Sequence, residues 1–362
     1  MEGPRVSLLG IYGVAEGGHE DSSFRHPSSL ISDFEGNLVV ADTGNHRIVK
    51  LTPDGTCAWA VGGQDFEGDP RSGTAQSEFD RPQALATDTE NNIYVADSRN
   101  CRVQKFSAEG DFLTVFGSRR SANGQFRGDG PLGQALGKNG RILVGDSHTA
   151  AGGNHRVQVF TPDGDYLYQF GSYGTGPDQF GGAAPIRQYG FDHGPGIGPG
   201  PIGPAALAVK TQPAHLLEQN VQGGSIYVAD CDNDRIIAFR GRGVPSLHIG
   251  VGLIFRPRQA ALDRAGRIYV SGVHMHEPPL QVYDLNQPGK WMVEPECGWV
   301  WVFSPAGDPL GRIGLTATHK LMEHHPEAGL HAHGYGLAVN RVDDSNLYVQ
   351  DDNLIFSYKV EW

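Results

Sequence analysis

The chain has 362 residues and a formal net charge of -12, with 51 glycines and 23 prolines. An acidic surface repels phosphate backbones, so nucleic acid is not the expected partner. No apolar run is long enough to span a membrane, and the run inside MEGPRVSLLGIYG is too short for a signal-peptide core, so a cytoplasmic location is expected.

In chain order, the first predicted element is a strand, RVSLLGIYG, from Arg5 to Gly13. Six units of one pattern follow. Each opens on a small apolar strand and turns into a β-branched second strand: NLVVAD (37–42), NIYVAD (92–97), RILVGD (141–146), SIYVAD (225–230), RIYVSG (267–272) and NLYVQD (346–351). Five of these end in Asp, at 42, 97, 146, 230 and 351, a recurrence in register that predicts a structural turn role. Third strands start near His46, Cys101, His155, Asp234 and Trp299; fourth strands are CAWAVGG, DFLTVFGS, DYLYQFGS, PSLHIG and PLGRIG.

Four short strands per unit, punctuated by turns such as Pro-Asp-Gly, make a propeller blade. The fold class is therefore all-β, a six-bladed β-propeller, read as one domain over 1–362 because no unit has core enough to stand alone. The sixth unit ends at IFSYKVEW without a fourth strand. The N-terminal strand is predicted to supply it and close the ring, which removes free sheet edges. The four cysteines form no CxxC pair and are read as ordinary thiols.

Loops that join second to third strands, or fourth strands to the next blade, emerge on one face, the top. His19 and His26 fall in the connection into blade one, and His148 in the second-to-third loop of blade three. His193 lies between blades three and four, His274 and His276 in blade five's second-to-third loop, and His319, His324, His325, His331 and His333 between blades five and six. Long connections are expected at about 172–203, 273–298 and 315–334, and loops of that length are commonly functional. Blade five also departs from the repeat at Gly272, where the other second strands carry Asp.

Two H-x-H pairs, His274/His276 and His331/His333, place two imidazoles on one side of extended chain, on neighbouring blades. With His148 across the channel, they are the candidate metal ligands. Imidazole suits zinc, copper, iron and nickel, and zinc is favoured. Where inner strands begin, His26, Arg81, Arg256 and Tyr335 face the channel mouth. Arg81 and Arg256 are candidate anchors for a carboxylate or oxyanion, or alternatively partners of the recurring Asp residues. Tyr335 and Glu277 are candidates for proton transfer. Tyr283, Trp291 and Trp299 are read as an apolar lid or as packing of the blade-five insertion.

The runs Asn45-His46-Arg47 and Asn154-His155-Arg156 resemble the NHL repeat, and the resemblance covers nearly the whole chain. It implies the propeller fold, which serves enzymes and binding scaffolds alike. The chain also looks like the peptidyl-hydroxyglycine amidating lyases, six-bladed NHL propellers whose zinc is held by histidines near the channel mouth. In that pattern the metal His follows the proline that opens the inner strand. Here Ser28, Gln83, Ala205 and Arg258 stand there, and only His333-Gly334 resembles it. Streptogramin-type lyases are similar in shape, with more blades. The leading expectation is a metal-dependent lyase, cyclase or hydrolase acting on a small organic or peptide-derived substrate. No nucleotide-cofactor fingerprint is present. The alternative is a non-catalytic scaffold whose top loops bind a partner protein or ligand.

Overall fold

Short β-branched strands buried on both faces need sheets stacked face to face, and the chain provides them. The computed structural model describes residues 5–13, 23–63, 70–127, 130–137, 140–146, 154–181, 204–209, 225–254, 257–272, 281–283, 291–293, 299–314, 336–351 and 354–362. It is a ring of six four-stranded antiparallel sheets. From the channel outward, blade one holds Ser29–Ser32, Leu38–Asp42, Arg47–Leu51 and Cys57–Gly62. Blade two holds Pro82–Thr87, Ile93–Asp97, Arg102–Phe106 and Phe112–Phe116. Blade three holds Pro131–Leu136, Ile142–Asp146, Arg156–Phe160 and Tyr166–Phe170. Blade four holds Pro204–Val209, Ile226–Asp230, Arg235–Arg240 and Val244–Ile249. Blade five holds Pro257–Leu262, Ile268–Gly272, Trp299–Phe303 and Pro309–Gly314.

Blade six is composite. Its inner three strands are Leu337–Val339, Asn346–Asp351 and Leu354–Glu361, and its outer strand is the N-terminal Arg5–Tyr12. That strand runs antiparallel from Arg5 opposite Glu361 to Tyr12 opposite Ile355, with a bulge between Leu8 and Gly10. The predicted closure is therefore present, and chain terminus and chain start share one sheet. A second latch adds to it: Trp362 donates its indole N–H to the Tyr269 hydroxyl of blade five at 3.2 Å and lies under the Arg267 guanidinium, 4.4 Å from its ring centre.

The hydrophobic clusters lie between blades. Val39, Ala41 and Ile48 of blade one pack with Phe79, Leu85, Ile93, Val95 and Phe106 of the blade-two unit. Such interfaces make each unit depend on its neighbours. Fourth strands alternate outward and inward, so Leu113 and Val115 are exposed while Phe116 is buried. Inner strands pack on one another around the ring. Gln259 of blade five donates to the Leu30 carbonyl of blade one at 3.2 Å and accepts from the Leu337 N–H of blade six at 3.1 Å.

One expected loop begins later than its sequence suggests. In the 172–203 connection, Tyr173–Gly174 pairs in parallel with Phe180–Gly181, and Phe180 is fully buried against Phe239. Phe24, Phe79, Phe126 and Ile254 occupy comparable buried places before their blades' inner strands. The segment is thus partly a repeat element, fixed by an aromatic plug; residues 182–203 lie outside the described residues.

Candidate functional site

The top face is organised by one ion-pair hub repeated in blades one to four. In blade two, Asp97 ends the second strand with its carboxylate buried. It accepts the Asp80 N–H at 2.8 Å, the Asn100 amide at 2.9 Å and the Arg102 Nε–H at 2.7 Å. Arg102 then donates to the Thr74, Ala75 and Glu78 carbonyls of the connection entering the blade. Asp42 does the same with the Arg25 N–H, Asn45 and Arg47, and Arg47 reaches the Ser23 carbonyl. Asp146 with Asn154 and Arg156, and Asp230 with Asn233 and Arg235, complete the set. Burial pushes these four Asp carboxyls up, against the opposing pull of the Arg and Asn donors. These four Asp residues are therefore structural: they bind the incoming loop to the blade. Their arginine partners are Arg47, Arg102, Arg156 and Arg235.

Blades five and six depart from this. Opposite each hub Asp stands its Arg, as in Asp42↔Arg47 and Asp97↔Arg102. In blade five that pair is Gly272↔Trp299, and in blade six it is Asp351↔Leu354. In these two blades, which border the H-x-H segments, no Arg stands opposite the end of the second strand in the strand register.

At the residue after the second-to-third turn of blades one to four the backbone is left-handed: φ is 54° at His46, 54° at Cys101, 41° at His155 and 51° at Asp234. The repeat's histidine is thus one of several residues that serve this bend. Once there, His46 accepts the Arg81 N–H at its Nδ1, 3.2 Å away, and lies 3.6 Å from the Asp80 carboxylate. Burial lowers its pKa; Asp80 opposes this, while Arg81, Arg99 and Arg25 add to it. His155 is fully buried beside the Tyr173 ring, centroids 4.8 Å apart.

Arg81 and His26 each sit one residue before the proline that opens an inner strand, at the channel mouth. Both are left-handed, with φ of 56° and 45°. A residue before proline prefers extended backbone, so this conformation is strained. At the corresponding place in blade three stands Gly130, with φ of 74°, where a Cβ would lie 1.9 Å from the Ser98 carbonyl oxygen. Beside them, Ser28 and Thr43 share a 2.6 Å hydroxyl contact, and Thr43 donates to the Pro82 carbonyl at 2.6 Å.

The other candidates, His148, His274, His276, His331, His333, Glu277, Arg256 and Tyr335, lie outside the described residues, as do His193, His319, His324 and His325. The strands flanking them are described. Residues 273–298 join the top ends of Ile268–Gly272 and Trp299–Phe303, with Gln281–Tyr283 paired to Trp291–Val293 between them. Residues 315–335 join Pro309–Gly314 to the inner strand of blade six. Among the described residues no three His, Cys, Asp or Glu side chains group closely enough to hold a metal ion. His248 is exposed on the fourth strand of blade four, its Nε2 3.1 Å from the Pro177 carbonyl oxygen.

Arg25 and Arg99, which sequence reasoning passes over, lie near enough to His46 for their charge to lower its pKa. Their signal is their place: Arg25 adjoins His26 two residues before Pro27, and Arg99 occupies the turn that follows Asp97. The buried plug residues also carry a readable signal, Phe-x-x-Pro at Phe24 and Phe79.

The fold defines a six-bladed β-propeller closed by its N-terminal strand. Residues 79–106 match the NHL repeat. NHL repeat-containing protein 3 of Mus musculus is 27% identical over 146 residues, which are 39% of this chain and 38% of that protein. Peptidyl-glycine alpha-amidating monooxygenase B of Xenopus laevis is 29% identical over 150 residues, 40% of this chain and 16% of that protein. The chain thus spans well under half the length of these relatives. Among solved structures, a gluconolactonase from Xanthomonas campestris superposes with a TM-score of 0.55 at 13% identity, over 99% of this chain and 95% of that one. A streptogramin B lyase does so with a TM-score of 0.53 at 12% identity, over 99% and 98%. At these identities the shared property is the fold. No helix among the described residues is long and apolar enough to cross a membrane.

Proposed function

We propose that the chain is a metal-dependent enzyme of lyase, cyclase or hydrolase type, acting on a small organic or peptide-derived substrate at the histidine-bearing mouth of the propeller channel. The observation that carries the reading is a change in the strand register at the place of the hub. Blades one to four hold their incoming loops with an Asp–Arg pair, whereas blade five has Gly272 opposite Trp299 and blade six has Asp351 opposite Leu354. The H-x-H pairs His274/His276 and His331/His333 lie in the segments that follow blade five's second strand and precede blade six's inner strand. A metal bridging them would tie these two blades together at the channel mouth.

His274, His276, His331 and His333, with His148 opposite, are the proposed ligands, with zinc preferred over copper, iron or nickel. Such an ion supplies Lewis acidity or lowers the pKa of a water. Glu277 and Tyr335 are proposed to move protons, His26 to face the substrate, and Arg81 and Arg256 to anchor it. The likeness to proteins titled lyase and gluconolactonase, and to an amidating monooxygenase over 40% of this chain, is consistent with small-molecule chemistry on this fold.

The test is the metal content of untagged protein by mass spectrometry, for the unmutated chain and for His274→Ala and His333→Ala. Near-stoichiometric metal that falls sharply in both variants is expected. Trace metal in the unmutated chain, unchanged in either variant, refutes the reading and leaves a binding scaffold.

A further inference from the structure

A backbone N–H only donates, so the atom it meets must carry a lone pair. At the channel mouth the Arg81 N–H meets His46 Nδ1 at 3.2 Å. In this contact His46 is therefore neutral, with its proton on Nε2. His46 closes the second-to-third turn of blade one, and Arg81 immediately precedes the inner strand of blade two. One hydrogen bond thus joins two blades, and it falls on a backbone that needs holding. Arg81 is left-handed, with φ of 56°, directly before Pro82, where extended backbone is preferred. Such a conformation persists only where its surroundings impose it. Blade three meets the same demand differently. Gly130 stands before Pro131 with φ of 74°, and its N–H bonds the Arg127 carbonyl of its own connection at 3.2 Å. In blade two, the residue at His46's place is Cys101, which brings no imidazole.

A second acceptor stands within reach of the same ring nitrogen. Asp80 Oδ1 lies 3.6 Å from His46 Nδ1, and Asp80 is itself held, its N–H bonded to the Asp97 carboxylate at 2.8 Å. A proton on Nδ1 turns that atom into a donor. It then has no lone pair for the Arg81 N–H, while the Asp80 carboxylate accepts from it. His46 is half-buried, so solvent protons reach it. Among the described residues, the charged groups that act on its imidazole come from three elements. They are Asp80 and Arg81 of the connection into blade two, Arg99 of blade two's second-to-third turn, and Arg25 of the connection into blade one. Burial and the three guanidinium groups hold its pKa below the ordinary value of about 6.5 against the pull of Asp80, so the accepting form prevails at neutral pH.

We propose that His46 is a proton-operated latch on Arg81: the neutral imidazole holds the Arg81 backbone in its strained turn, and the imidazolium turns to Asp80 and releases it. His46 is thus a positioning residue and not a catalytic one. Its consequence for a ligand, whose anchor is set at neutral pH and withdrawn in mild acid, rests on the anchoring role proposed for Arg81. The latch itself rests on neither that role nor the metal.

The experiment is an NMR titration of the full chain, without ligand and stripped of metal by a chelator, so that its failure is separate from failure of the metal or anchoring readings. At neutral pH, His46 Nδ1 is expected at the nitrogen shift of an unprotonated ring atom and Nε2 at that of a protonated one. As pH falls from about 8 to about 5, across the range in which histidine titrates, the Arg81 amide proton is expected to move upfield with the His46 midpoint. The Gly130 amide, bonded within its own connection, is the control and stays still. His46→Asn tolerates the left-handed backbone and carries an oxygen at the place of Nδ1, an acceptor that does not titrate. In that variant the Arg81 amide is expected to stay downfield and to lose its pH response. The same variant separates the latch from titration of Asp97 behind Asp80, whose carboxyl is pushed up by burial. A protonated Nδ1 at neutral pH overturns the latch. So does an Arg81 amide that does not follow the His46 titration, or that titrates equally in His46→Asn.

Discussion

Asp97 offers the sharpest test of how the top face is held. Its carboxylate is buried and gathers the Asp80 N–H, the Asn100 amide, Arg102 Nε and, at 3.3 Å, Gln104 Nε2. Asp97→Ala orphans the Asp80 N–H, at a cost of about 1–3 kcal/mol, and strips Arg102 of its counter-charge. Breaking a buried pair from one side costs about 3–5 kcal/mol. Arg102 keeps its three carbonyl acceptors and has a side chain 15% exposed, so the lower end, about 3 kcal/mol, is expected. At a urea slope of about 3 kcal/mol per molar, that moves the unfolding midpoint by about 1 M. Limited trypsin digestion reads the loop directly. Arg71 lies on the connection that the hub holds, its N–H bonded to the Gly63 carbonyl at 3.0 Å, and cleavage there is expected to accelerate. Asp97→Asn, which keeps an acceptor for Asp80, should be milder in both assays. A stability loss below about 1 kcal/mol in Asp97→Ala, with unchanged cleavage at Arg71, would refute the hub as the device that secures the loop.

Three further outcomes follow from the same contacts. Gly44→Ala would put a Cβ 2.4 Å from the Arg25 carbonyl oxygen, so the Arg25 segment must shift; a loss of about 1–3 kcal/mol is expected by urea unfolding. Trp362→Ala removes the Arg267 stacking contact and the bond to Tyr269, and should lower stability by about 1 kcal/mol, read as a small fall in melting temperature. His46 has a folded pKa below its unfolded value of about 6.5, so the unfolded chain binds protons more readily; the stability His46 contributes is present above that pH and lost as pH falls below it. His46→Gln should flatten the stability–pH curve below about pH 6.5, and an unchanged slope there contradicts the assignment.

The blades are legible in the sequence because a propeller strand is local. NIYVAD or SIYVAD carries its own β-branched, apolar pattern, and Pro-Asp-Gly turns separate the units. Ring closure is legible because a sixth unit without its outer strand leaves an unpaired edge, and RVSLLGIYG has the pattern to fill it. The hub is half legible. Repetition of Asp marks it as structural, but the carbonyls that Arg102 reaches lie 24 to 28 residues away in sequence, and no motif announces them. The plug residue Phe180 hides within glycine-rich sequence, so its segment reads as loop although it packs as core. At the proposed site, Arg81 and His26 are singled out by their place before proline. Arg25 and Arg99 are passed over because their nearness to His46 depends on turns of neighbouring blades meeting, which spacing along one chain does not reveal.

The central claim is that a metal sits where the second strands of blades five and six end with no Arg opposite them. Anomalous-difference maps from crystals of untagged protein, collected above and below the zinc absorption edge, test it most directly. The account predicts one strong peak at the channel mouth, bounded by His274 and His276 on one side and His331 and His333 on the other. A zinc-replete crystal with no peak there, or with its peak on other ligands, contradicts it.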